Sequence, residues 1–187
     1  MVFLMPYLET TLNDGWRFLR QRPREAEKPD FDDSNWETVR LPHDWSISQP
    51  FDPNAPAYCR GAWLPAGEGT YRRRLTIPAD WRDKLVAVYF AGAYRNARVF
   101  CNGLPVGGRP WGYLPFECNL TGRLKPDEEN ILAVTLDNRT QPGARWYTGN
   151  GLYRGVTIVV RSEVHIPRWG TRIQTSNIGA SSTTVRV

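Results

Sequence analysis

Arg145-Trp146-Tyr147-Thr148-Gly149-Asn150-Gly151-Leu152-Tyr153-Arg154-Gly155 gathers cationic, aromatic, amide and glycine residues into one short stretch. The apolar run Val156-Thr157-Ile158-Val159-Val160 follows at once and reads as a strand. A loop on such a support can hold aromatic faces and hydrogen-bonding groups in fixed positions, which is where binding usually resides. A second stretch, Leu41-Pro42-His43-Asp44-Trp45-Ser46-Ile47, sets an imidazole, a carboxylate, an indole and a hydroxyl beside a proline. This mixture suits a sugar: aromatic planes cover C–H faces, and planar polar groups bridge neighbouring hydroxyls. Taken alone, the composition of the first stretch better fits a glycine-rich turn whose aromatics pack on a core.

Other chemistries find no support. Nucleophile elbow, HExxH, phosphate loop and dinucleotide fingerprint are all missing. His43 and His165 lie far apart, and each alone is more often structural than catalytic. The acidic pairs Asp32-Asp33 and Glu128-Glu129 fall in turn sequences, where solvated carboxylates are expected. Cys59, Cys101 and Cys118 are too few and too scattered for a zinc motif, and Cys101 sits in an apolar alternation that predicts a small core residue. One disulfide is possible among the three, and sequence does not choose it. No metal or cofactor is expected. The net charge of +5 reads as a solvated basic surface. Arg72-Arg73-Arg74 is the only tight basic run, and in a strand its side chains split between two faces, so nucleic-acid binding is not expected.

The elements that carry these loops read as strands. With 187 residues the chain suits one domain, with a short extension into a second. Eight Trp, eight Tyr and seven Phe with 16 Gly and 15 Pro favour an all-β fold, because aromatics suit pleated surfaces and Gly and Pro punctuate turns. Strand patterns occur at 16–19, 37–41, 70–77, 84–90, 96–101, 104–107, 113–118, 131–136 and 156–160, about nine in all, at the spacing of a sandwich or barrel. Asn102-Gly103 is a strong hairpin signal, and Pro115 restricts its strand to an edge. Around 31–36, Asp and Ser can cap a single turn that folds Phe31 and Trp36 inward. The stretch 46–69, with Pro50, Pro53, Pro56 and Pro65, reads as a long loop, either a lid or a packed surface cover. Residues 1–11 read as a loose arm and 12–162 as the main domain. Residues 163–187 read as a connector entering a strand that has no partner. The first ten residues show neither a basic n-region nor a long apolar run, and no apolar run reaches 18 residues, so neither a secretory signal nor a membrane span is expected. A soluble protein, cytoplasmic or periplasmic, is the expectation.

The motifs taken together resemble the start of glycoside hydrolase family 2 enzymes, most closely the β-galactosidase branch. The resemblance runs in order through Asn13-Asp14-Gly15-Trp16-Arg17-Phe18, Phe31-Asp32-Asp33-Ser34-Asn35-Trp36 and the Pro42-His43-Asp44-Trp45 loop. It continues through Val99-Phe100-Cys101-Asn102-Gly103 and Gly112-Tyr113-Leu114-Pro115-Phe116-Glu117, and closes on the 145–154 loop. It implies a jelly-roll β-sandwich, the family's N-terminal sugar-binding domain, with 163–187 opening an immunoglobulin-like sandwich. It further implies a following (β/α)8 barrel that carries both catalytic glutamates of a retaining mechanism, so no catalytic residue is expected in this chain. A parent enzyme of this family can be homo-oligomeric. By resemblance Asp44 stands where the family places an Asp or Asn against the terminal sugar hydroxyls. A charged acceptor there favours a hydroxyl-rich, non-anionic glycone such as a β-galactoside. His43, Trp45, Arg145, Tyr147 and Asn150 are the accompanying candidates for carbohydrate contact. Some members carry an Asp directly after the Tyr-Arg pair; this chain has Gly155 and lacks that carboxylate. The alternative is a free-standing, lectin-like carbohydrate-binding module of the same fold.

Overall fold

The computed structural model describes residues 8–187 and folds them as β-strands, with only two short 3₁₀ turns, at Tyr58–Gly61 and Ala79–Trp81. Two antiparallel sheets form a sandwich. The first comprises β1 (Leu8–Thr11), β5 (Leu85–Phe90), β8 (Phe116–Asn119) and β10 (Val156–Arg161), in the order β1-β10-β5-β8. The second comprises β2 (Trp16–Leu19), β3 (Glu37–Val39), β4 (Glu68–Thr76), β6 (Ala97–Cys101), β7 (Leu104–Arg109) and β9 (Glu129–Asp137), in the order β3-β2-β4-β9-β6-β7. Alternation decides which side chains meet between the sheets. Val86, Val88 and Phe90 of β5 and Val156, Ile158 and Val160 of β10 face Trp16, Phe18, Tyr71, Val99, Leu132, Val134 and Leu136 in one buried cluster. Strand β9 is buried along nearly its whole length, as a central strand covered on both faces must be.

Turn chemistry places the edges. Asn102 and Gly103 both take positive φ, 49° and 82°, and close the β6–β7 hairpin in the type I′ sense. Pro105 lies in β7, and Pro115 immediately precedes β8; both are edge strands, where a missing N–H breaks no ladder. Of the arm expected at 1–11, residues 1–7 fall outside the described set. Leu8–Thr11 is not loose but pairs with β10, from Leu8 opposite Val160 to Thr11 opposite Thr157. Its side chains are all exposed, so no apolar alternation marks it in the sequence. The 46–67 loop closes on itself: Asp52 N–H donates to the Trp63 carbonyl at 2.8 Å and Trp63 N–H to that of Tyr58 at 2.9 Å.

The expectation of solvated turn acids holds for the exposed Glu128 and Glu129 and fails for Asp33. Asp33 is 2% exposed. It accepts from Arg72 Nε at 2.8 Å and from Arg74 Nη1 at 2.7 Å. Burial pushes its carboxyl up, and the two guanidinium groups more than offset that, so the group sits below the usual carboxylate range. All three cysteines are free, and burial pushes the Cys101 thiol up to about 11 and the Cys118 thiol up to about 12. Beyond β10, Arg168 lies over the Tyr89 ring at 4.2 Å, and β11 (Gln174–Ser176) and β12 (Thr184–Arg186) pair only with each other. No helix among the described residues is long and apolar enough to cross a membrane.

Candidate functional site

The two stretches singled out in the sequence lie side by side. Backbone pairing joins them: His43 N–H donates to the Leu152 carbonyl at 2.9 Å and Trp45 N–H to that of Asn150 at 3.3 Å. Gly151 makes the approach possible. A Cβ there would sit 2.7 Å from the His43 carbonyl oxygen and 2.4 Å from the Tyr71 hydroxyl. Gly151 also exchanges backbone hydrogen bonds with Tyr94, each 2.9 Å, which ties the loop to the sandwich.

Asp44 is the hub. Its carboxylate accepts from the Tyr147 hydroxyl, 2.7 Å from both oxygens, from Asn150 N–H at 3.1 Å and from Ser46 N–H at 3.0 Å. Burial and the adjacent carboxylate push the Tyr147 phenol up, so it remains a donor at any ordinary pH. Three donors on a group with about four lone-pair positions leave about one for an external hydroxyl. The carboxylate is only half-buried, so that capacity is reachable. Asn138, which is not among the residues expected to contact sugar, supports the cradle: its Nδ2 donates to Asn150 Oδ1 at 2.6 Å.

The other candidates separate. Trp45 is 1% exposed and stacks on Phe18 at 5.7 Å between centroids, so it is a core residue without a face for a ligand. Room for that ring comes from Gly69, whose Cβ would lie 2.6 Å from it. Asn150 is 3% exposed; its amide oxygen accepts from Asn138, and its backbone N–H serves Asp44. His43 turns its Nδ1 to the Tyr71 hydroxyl at 2.8 Å and lines a different cleft, of about 300 Å³, with Arg20, Glu37 and Gln49. Arg145 is exposed and lines a third hollow with Trp111, Tyr113 and Trp146. Asp44 and Tyr147 are thus the predicted side chains that meet. Beside Tyr147 and Asn150 the surface has a cavity of only about 10 Å³, which holds no sugar. Among the described residues no group of three His, Cys, Asp or Glu could hold a metal ion.

Burial lowers the His43 pKa from its usual 6.5, while the charges of Glu37 and Asp44 pull weakly the other way. A group depressed on folding favours the native state above its unfolded pKa, and that advantage is lost as pH falls through the folded value. Thermal midpoints are therefore expected to decline as pH drops below about 6.5. His43→Gln, which cannot charge, should flatten that part of the profile; an unchanged slope would assign it to other groups.

No family model matches the chain. Across 173 residues it is 39% identical to the β-galactosidase BoGH2A of Bacteroides ovatus, which covers 92% of this chain and 20% of that protein. A β-glucuronidase of Formosa agariphila is 29% identical over 198 residues, 94% of this chain and 20% of its own length. Among solved structures, a glycosyl hydrolase family 2 member from Bacteroides cellulosilyticus superposes with a TM-score of 0.84 at 35% identity, over 89% of this chain and 22% of that one. The chain thus spans about a fifth of the length of the curated relatives it matches. Sharing this sequence and this backbone with them, the chain belongs to glycoside hydrolase family 2, as an N-terminal β-sandwich domain of that family.

Proposed function

We propose that this domain forms one wall of the glycone pocket of a family 2 glycosidase, with a β-galactoside as the preferred substrate class. The observation that carries the reading is Asp44: a carboxylate held by three donors from two loops, half-buried, with acceptor capacity left over. The cavity beside its partners Tyr147 and Asn150 is only about 10 Å³, too small to enclose a sugar, as suits a wall that another domain completes. The β-galactosidase name of the Bacteroides ovatus relative supports the substrate class, and an ionised acceptor favours neutral hydroxyls over an anionic ring. On this reading the chain leads from about residue 163 into an immunoglobulin-like domain, and the acid/base and nucleophile carboxylates belong to a barrel domain beyond it.

The test is Asp44→Ala in the enzyme that carries this domain. Loss of one charge-assisted hydrogen bond to the sugar should cost about 1.5–3 kcal/mol of transition-state binding, roughly a tenfold to hundredfold fall in kcat/KM. Circular dichroism should show the fold retained, since the core lies beneath the loops. Unchanged kcat/KM for galactosides would remove Asp44 from the substrate and this reading with it.

A further inference from the structure

A second surface, formed partly by the loop that carries Tyr147, has the makings of a ligand site. Trp111 and Trp146 are 57% and 62% exposed, and rather than lying scattered they flank a single hollow of about 590 Å³. Its parts are held in place. Tyr113 meets Trp111 edge-on, centroids 5.9 Å apart at 74°, and lies 5.3 Å from the buried Tyr94 at its floor. Trp146 Nε1 donates to the Tyr113 hydroxyl at 3.3 Å. Gly112 lets the turn between Trp111 and Tyr113 press onto Tyr94, since a Cβ there would come within 2.2 Å of that ring. Tyr153, from the same loop as Tyr147, donates its hydroxyl to the Gly112 carbonyl at 2.9 Å and fixes the turn to the candidate site. Gly143 and Ala144 leave the remaining side low, and the exposed Arg145 stands at the rim.

We propose that this hollow is a stacking subsite for a second pyranose ring, the sugar that follows the glycone in an oligosaccharide. The inference rests on the pocket-wall reading, because it places this sugar one residue beyond the group at Asp44. The chemistry favours a carbohydrate over an apolar protein segment. Exposed aromatic planes offer C–H contact, while the Tyr113 hydroxyl and the Arg145 guanidinium supply polar groups suited to paired hydroxyls. The volume falls in the small-ligand range, and the rings are braced by hydrogen bonds and packing, so little ordering is needed on binding. The link to the candidate site runs along the chain: Trp146 immediately precedes Tyr147, whose hydroxyl is on Asp44.

The experiment is a titration of the 187-residue chain with lactose and with cellobiose, followed through the tryptophan indole N–H signals by nuclear magnetic resonance. Saturable shifts of the Trp111 and Trp146 signals are expected, with half-saturation on the order of 10 mM. Trp111→Ala and Trp146→Ala should each weaken binding at least about fivefold, whereas Trp146→Phe, which keeps an aromatic face, should stay within about twofold. No shift at about 100 mM disaccharide in a natively folded chain would overturn the proposal. So would shifts confined to other tryptophans, or self-association that Trp146→Ala abolishes and sugar does not affect. The two readings fail separately. Shifts that persist in Asp44→Ala, alongside unchanged kcat/KM in that variant of the enzyme, would sink the pocket wall and leave the hollow. A kinetic loss in Asp44→Ala with silent indoles would do the reverse.

Discussion

Asp33→Ala is expected to destabilise the domain by about 3–5 kcal/mol, because it strands a buried guanidinium. Arg72 is 0% exposed, and its Nε has Asp33 as its acceptor at 2.8 Å. The rest of the guanidinium is already committed: Nη1 to the carbonyls of Ala26 and Lys28, Nη2 to that of Phe31 at 3.3 Å, with the Phe31 ring beneath it at 5.5 Å. Nothing in that arrangement can replace the lost negative charge. Arg72 and Asp33 together bind the 22–36 loop over β4, so the damage should appear first as faster amide exchange through that loop. Urea unfolding at neutral pH measures the size. Acid measures the cause: a carboxyl depressed on folding stabilises above its unfolded pKa of about 3.8, and this is lost as pH falls through the lower folded value. Asp33→Asn should remove that part of the acid sensitivity. Replacing both partners with apolar residues of similar volume should restore most of the stability, since paired removal leaves no uncompensated charge. If Asp33→Ala unfolds at the same urea concentration as the unmodified chain, the ion pair is not what anchors the loop.

The same pair marks the limit of what the sequence shows. An acid in a turn is ordinarily solvated, and nothing within a few residues of Asp33 says otherwise; its partner lies 39 positions away in β4. The repeating features were legible. The alternations Val86-Val88-Phe90 and Leu132-Val134-Leu136 face the core, Asn102-Gly103 turns the hairpin, and proline marks the edges, because each depends on local geometry alone. The meeting of Asp44 with Tyr147, 103 positions apart, follows from no local pattern; the resemblance named both as candidates for sugar contact without pairing them. Trp45 shows why site residues are harder than strands. Its neighbours in sequence are those of a ligand loop, yet small residues at Gly69 and Gly151 open a space that takes its indole inward. Trp146 lies in the stretch singled out in the sequence and Trp111 does not, yet both stay exposed, each against Tyr113, which itself packs on the buried Tyr94.

Gly151→Ala should be the most damaging single methyl addition at the candidate site. Its φ of 108° lies where a side chain is strained, at a cost of about 1–3 kcal/mol. The new Cβ would also fall 2.4 Å from the Tyr71 hydroxyl, 2.7 Å from the His43 carbonyl oxygen and 3.1 Å from Trp45 Cε3. Two of these belong to buried rings and one to backbone, so none can swing aside. Overpacking of this kind adds about 1–3 kcal/mol. Together the terms predict a loss of about 2–6 kcal/mol, or roughly 4–24 °C in Tm for a domain of this size. Relief is available only by parting the two loops, which would break the His43–Leu152 and Trp45–Asn150 pairings and pull Asn150 N–H from Asp44. Gly122→Ala provides the control: its φ of 71° carries backbone strain, but no atom lies within 4 Å of the added Cβ. Calorimetry on both variants separates strain from clash. A much larger fall for Gly151→Ala, accompanied by loss of the His43 contribution to the pH profile, is the expected result. Equal falls would mean that the close approach of the loops at Gly151 does not hold the Asp44 cradle together.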